Sequence, residues 1–298
     1  MKILSMRFYA ILITVVVLLS SCKRASQYDS PSIVVGIPPV SAIAERIVGD
    51  SLQVVCLLPK GGNPETYEPT VSQIAQVEQS DAFLYVNETG FEAAIAHRIH
   101  DGAGVPGINV SKGIEMLYGT HGDCPHHHHH GESCDHSQEA DPHVWSSAKN
   151  ARIIAANILS VLQEIDGDRM DYYTANYNRL IAEIDSLDSH LSHILAPHRG
   201  KAFVVWHPSL GYFARDYELE QISIGGMENK ETSVKQLKDR IEAATKRNVQ
   251  VFVIQQNYDS RQAQLLNEHL EARIVEIDPL SADWAQQLID VADAFATE

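Results

Sequence analysis

From residue 31 onward, short runs of β-branched and other apolar residues alternate with stretches of helical periodicity. Ile33–Ile37, Leu52–Leu58 and Ala82–Val86 read as buried strands, and Val40–Val48 and Val71–Glu78 as helices between them. Thr70-Val-Ser-Gln73 has the spacing of a capping box and predicts where the second of these helices starts. The rhythm returns in the second half. Strands are predicted at Ala202–Trp206, Gln221–Ile224, Val251–Gln255 and Arg273–Ile277, with helices at Val234–Lys246, Arg261–His269 and Ala282–Ala294. Alternation of this kind predicts an α/β fold of two lobes, each with a mainly parallel sheet.

Between the two halves the pattern changes. Asp168 to Ala196 contains no glycine or proline, and apolar or aromatic residues recur at Tyr173, Tyr177, Leu180, Ile184, Leu187, Leu191 and Ile194. A single helix of that length spans roughly 43 Å at about 1.5 Å per residue. It predicts a stiff connection that favours small tilts over wide hinge closure. The domain reading is a signal at 1–21, a linker at 22–30, a first lobe at 31–167, the connecting helix at 168–196 and a second lobe at 197–298.

The N-terminal reading rests on Lys2 and Arg7 ahead of an apolar run from Phe8 to Leu19, too short for a membrane span of about 20 residues. The following Leu19-Ser20-Ser21-Cys22 resembles a bacterial lipobox, in which Cys22 becomes the lipid-carrying first residue of an extracytoplasmic, membrane-anchored lipoprotein. The alternative is that Cys22 is a buried cysteine. Loss of residues 1–21 removes two basic residues and takes the formal charge from −16 to −18. An acidic chain argues against nucleic acid and suits cationic ligands. Cys56, inside an apolar run, reads as a core residue.

The densest chemistry lies in the middle, where His121 to His136 read HGDCPHHHHHGESCDH. His121, Cys124, His126, His127, His128, His129, His130, Cys134 and His136 offer imidazole and thiol groups, which suit borderline-soft divalent metals, zinc above all. An expression tag belongs at a terminus, and this tract is internal. It reads as an accessory, metal-collecting loop. Cys124 and Cys134 either form a disulfide or serve as thiolate ligands.

Four further candidates each stand beside a proline. They are Glu65 in Asn63-Pro-Glu-Thr-Tyr-Glu-Pro69, His143 in Asp141-Pro-His-Val-Trp145, His207 in Trp206-His-Pro-Ser209 and Asp278 in Glu276-Ile-Asp-Pro-Leu280. His207 and Asp278 follow predicted strands, where open α/β sheets gather their ligands. Two imidazoles and two carboxylates, two from each lobe, satisfy a four-coordinate divalent metal in the cleft between lobes. The neighbouring Tyr67, Trp145, Trp206, Tyr212 and Phe213 read as packing that keeps such a site dry. Arg215 either pairs with an acidic neighbour or faces solvent. Met227–Thr232 reads as a helix start, with a lid over the second-lobe opening as the alternative.

Pro64-Glu-Thr-Tyr-Glu-Pro-Thr70, Asp141-Pro-His-Val-Trp145, His207 followed by Gly211-Tyr-Phe-Ala-Arg215, and Asp278-Pro-Leu280 together resemble the metal-binding lipoprotein or periplasmic component of bacterial ABC importers of the zinc and manganese uptake type. The resemblance implies two α/β lobes joined by a long helix, no enzymatic activity, and delivery of Zn2+ to a membrane permease by a monomer. It departs from the family at Glu65, where the pattern has histidine. Either the carboxylate replaces the imidazole, or three protein ligands are completed by water, or Glu68 substitutes. An oxygen donor moves preference toward Mn2+ or Fe2+, while the histidine loop favours zinc. A zinc store or chaperone without a transporter, a surface adhesin and a zinc hydrolase are the competing functions. The hydrolase lacks a His-Glu-x-x-His motif and a Gly-x-Ser-x-Gly elbow.

Overall fold

A computed structural model of the chain describes residues 31–86, 90–102, 104–118, 140–225, 234–256 and 260–296. The predicted signal segment with Cys22, the tract 121–136 and Met227–Thr232 lie outside them. Among the described residues the strands are β1 (Ser32–Val35), β2 (Gln53–Cys56), β3 (Ala82–Tyr85), β4 (Gly107–Asn109), β5 (Ala202–Val205), β6 (Glu220–Ser223), β7 (Val251–Gln255) and β8 (Arg273–Ile277). Its helices are α1 (Pro38–Val48), α2 (Val71–Gln79), α3 (Gly90–Gly102), α4 (Ala148–Ile165), α5 (Met170–Leu195), α6 (Gly211–Asp216), α7 (Val234–Lys246), α8 (Ser260–Leu270) and α9 (Trp284–Ala296).

Two four-stranded sheets result, ordered β2-β1-β3-β4 and β6-β5-β7-β8, with every pairing parallel. In each sheet the chain moves outward on one side of its first strand and then crosses to the other. This puts a topological switch point at the carboxyl ends of β1 and β3, and of β5 and β7, where open sheets leave a crevice for ligands.

Residues along the second sheet alternate between two cores, as a period of two requires. Val204, Phe252 and Ile254 pack with Ile224, Ala244 and Ala263 on the face covered by α7 and α8. Phe203, Val205, Val251 and Val253 face the other way and join Leu288, Val291 and Phe295 of α9. That second core does not stop at the lobe. It runs through Leu187, Leu191 and Leu195 of α5 into Ile154 and Ile158 of α4 and Ile43 and Ile47 of α1.

The predicted long helix is α5, 26 residues bounded by single 3-10 turns at Gly167–Arg169 and Ala196–His198. It therefore spans about 39 Å, slightly short of expectation because both ends tighten. Tyr177 and Ile194 are only half-buried, and Asn176 takes a buried position instead, its amide donating to the Ile47 carbonyl at 2.9 Å. The capping box at Thr70 and Gln73 is present in both halves. Cys56 ends β2, half-buried, and burial pushes its thiol up to about 12. Among the described residues no helix is long and apolar enough to cross a membrane.

Candidate metal centre

His143 lies on the segment that leads into α4, which is capped by the Ser147 side chain accepting from the Asn150 N–H. Just before it, an isolated antiparallel bridge joins Tyr118 to Ala140. Asp141 is buried, and its Oδ1 accepts the His143 backbone N–H at 2.9 Å and lies 2.7 Å from the His143 Nδ1. A carboxylate on one ring nitrogen fixes the tautomer and aims the other outward. The Nε2 of His143 accordingly points across the molecule.

His207 meets it there. It follows β5 by two residues, at the switch point of the second sheet, on a loop held from both sides. The Leu210 N–H donates to Gln221 Oε1 at 2.8 Å, and Gln255 Nε2 approaches Ser209 Oγ at 3.4 Å. The two imidazoles stand edge to face with centroids 5.0 Å apart, and their Nε2 atoms are 3.1 Å apart. Both are nearly buried, His143 at 6% and His207 at 8% exposure.

Glu65 reaches this pair from the loop after β2. Its backbone N–H donates to Asn63 Oδ1 at 2.9 Å, an Asx turn that bends the chain. Tyr67 Oη and Gln73 Nε2 both donate to the Leu57 carbonyl, tying the loop back to the strand. The Glu65 Oε1 lies 3.4 Å from His207 Nε2, with the side chain 32% exposed.

Asp278 stands differently. It follows β8, its N–H donates to Gln287 Oε1, and its Oδ1 accepts the Leu280 N–H at 3.1 Å. The next residue is gripped by the first lobe, because Trp145 Nε1 donates to the Pro279 carbonyl at 2.8 Å. Thus His207 stands next to both His143 and Glu65, and Asp278 is tied to the first lobe only through its neighbour Pro279. Among the described residues no group of three or more His, Cys, Asp or Glu side chains stands ready to hold a metal ion.

The flanking aromatics behave as packing. Trp145, Tyr212 and Phe213 are buried, and Trp145 lies edge-on to His143 with centroids 5.3 Å apart. Arg215 pairs with Asp216 at 2.8 Å and reaches the first lobe at the Glu115 carbonyl and Asn150 Oδ1. Asp141 and Tyr212 do more than their sequence positions suggest. Burial pushes the Tyr212 phenol up to about 12, against the opposing effect of the Leu117 N–H.

The family model described as "Zinc-uptake complex component A periplasmic" matches residues 33–297. The chain belongs to this family. Within the zinc-uptake component A family it is 28% identical over 271 residues to the zinc-binding lipoprotein AdcA of Streptococcus pneumoniae (strain ATCC BAA-255 / R6), covering 89% of this chain and 53% of that one. It thus spans about half the length of that curated relative. It is 28% identical over 258 residues to the high-affinity zinc uptake system protein ZnuA of Bacillus subtilis (strain 168), covering 86% of this chain and 80% of that one. The crystal structure of ZnuA superposes with a TM-score of 0.75 at 30% identity, covering 90% of this chain and 98% of that one. The two parallel-sheet lobes and the long helix expected from the sequence are the architecture of this family's structures.

Proposed function

We propose that the protein is the extracytoplasmic zinc-binding component of an ABC importer. On this reading it captures Zn2+ between the lobes with His143, His207, Glu65 and Asp278 and hands it to a membrane permease. The observation that carries the reading is the pair of donor distances at His207. Zn–N and Zn–O bonds of about 2.0–2.2 Å at tetrahedral angles place donor atoms about 3.3–3.6 Å apart. The His143 and His207 Nε2 atoms are 3.1 Å apart, and His207 Nε2 and Glu65 Oε1 are 3.4 Å apart. Asp278 completes the set by a side-chain rotation that releases the Leu280 N–H.

The protein performs no chemical step in this cycle. Its residues bind, orient and exclude water, and the bound ion is the cargo. The family match and the zinc-binding names of the relatives support zinc. The Glu65 oxygen favours a second reading, manganese or iron, since a carboxylate in place of imidazole hardens the site. The tract 121–136 serves as an accessory collector, and Cys22 as a lipid anchor.

The test is a titration of a form lacking residues 1–30 and 121–136 with Zn2+ and with Mn2+, counting bound metal. One tight zinc per chain, lost with His143→Ala, supports the proposal. Tighter manganese binding moves it to that metal, and no tight site overturns it.

A further inference from the structure

The two histidines belong to different lobes, so something has to hold one in register with the other. Tyr212 is fully buried on α6, five residues after His207. Its hydroxyl donates to the Asp141 carbonyl at 2.8 Å and accepts the Leu117 N–H at 3.2 Å. The Asp141 N–H in turn donates to the Leu117 carbonyl at 2.6 Å. One phenol thus holds both chains at the point where they converge, one residue short of the bridge between Tyr118 and Ala140.

Gly211 brings α6 close enough for this. A Cβ at residue 211 would lie 2.6 Å from Asp141 Oδ2, so any larger residue there would displace that carboxylate. The contacts close a circuit. His207 leads through Gly211 to Tyr212, Tyr212 holds the Asp141 main chain, the Asp141 carboxylate orients His143, and His143 Nε2 returns to His207 Nε2.

We propose that Tyr212 is a positioning residue for the metal site, registering His143 against His207 across the lobes through the backbone of Asp141. This rests on the reading of His143 and His207 as ligands. Without the hydroxyl, the Asp141 carbonyl and the Leu117 N–H lose their shared partner, and the segment carrying His143 is free to shift. A shift of a few tenths of an ångström changes a distance on which tetrahedral coordination depends. The effect belongs at the lower end of what loss of an outer partner costs a metal site, about tenfold in affinity.

The experiment uses the full chain with Tyr212→Phe, His143→Ala and Tyr173→Phe. The last removes another buried hydroxyl, one that bonds Asp166 and Ser51 away from the site. Zinc affinity is measured by chelator competition, and the ligand field is read from the visible spectrum of the Co2+ form. The site in question is the binding lost in His143→Ala. Tyr212→Phe should weaken that binding about tenfold and alter the Co2+ bands, while Tyr173→Phe leaves both as in the parent protein. Should Tyr212→Phe fail to fold, Gly211→Ala displaces the Asp141 carboxylate from the other side and should produce the same spectral change. Parent-like affinity and Co2+ bands in whichever of the two variants folds overturn the inference while the site reading stands. Equal weakening in Tyr173→Phe also overturns it, as a general loss of stability. If His143→Ala binds zinc as the parent does, the site reading itself fails.

Discussion

The indole N–H of Trp145 crosses from the first lobe to donate to the Pro279 carbonyl of the second at 2.8 Å. It runs opposite to the Tyr212 contact, in which the second lobe donates to the first. His143 lies between the two, its ring against Trp145 and its Nδ1 on Asp141. The site is strapped from both lobes at either end of a five-residue segment.

Trp145→Phe keeps an aromatic ring but removes this donor and leaves a carbonyl short of a partner. Loss of about 1–2 kcal/mol of stability is expected. Urea unfolding of the metal-free protein measures it, and zinc affinity should fall in the same variant because Pro279 adjoins Asp278.

On the proposed reading His207 is a ligand, and changing it acts on the metal rather than on the fold. His207→Ala should lower zinc affinity by more than about 100-fold, beyond what loss of an outer partner costs. A metal that binds only the folded state stabilises it by RT ln(1 + L/Kd), with L the free metal concentration, and so raises Tm. The zinc-induced rise in Tm, read by calorimetry in a form lacking 121–136, should therefore vanish. A rise equal to the parent's would exclude His207 as a ligand.

On the proposed reading Glu65 sets the metal preference. Glu65→His exchanges a hard oxygen for imidazole nitrogen and should increase the ratio of zinc to manganese affinity. Parallel titrations with the two ions measure that ratio. An unchanged ratio would mean that Glu65 does not touch the metal.

Tyr212 also makes an alkaline prediction. The folded state holds its phenol proton up to about 12, whereas the unfolded chain releases it near 10.0. Between those values the unfolded state binds fewer protons than the folded state, so stability declines as pH rises through this window. Below pH 10 the contribution is complete. Denaturation curves across pH 9–12 should show a shallower decline in Tyr212→Phe than in the parent.

The strands and helices with strong local signals were legible. β7, β8 and α7 begin and end where the apolar pattern says, and the Thr70 capping box marks α2. Four elements were not anticipated. β4 is three residues beginning with glycine, a strand only because β3 offers its edge. α6 has six residues, too few for a period to show, and α3 mixes polar and apolar positions between two glycines. α4 carried a readable signal in Ser147 followed by Ile154, Ile158 and Leu162, which the strand–helix alternation obscured.

The site divides in the same way. His143, His207 and Glu65 could be picked out by residue type and neighbouring proline, and the structure sets His207 next to both of the others. Asp141 and Tyr212 could not, because a carbonyl and a phenol 71 residues apart announce nothing until the chain folds.

The core that passes without a break from the first sheet through α5 into the second has a consequence for timing. With both sheets set on one helix, wide separation of the lobes would have to break this shared core. On the proposed reading, departure is a matter of exchanging donors one after another, and spontaneous loss is slow. The speed of delivery then belongs to the receptor, which has to pull on a donor it can reach. On that reading Glu65, its side chain a third exposed while both histidines are enclosed, is the donor such a receptor would reach.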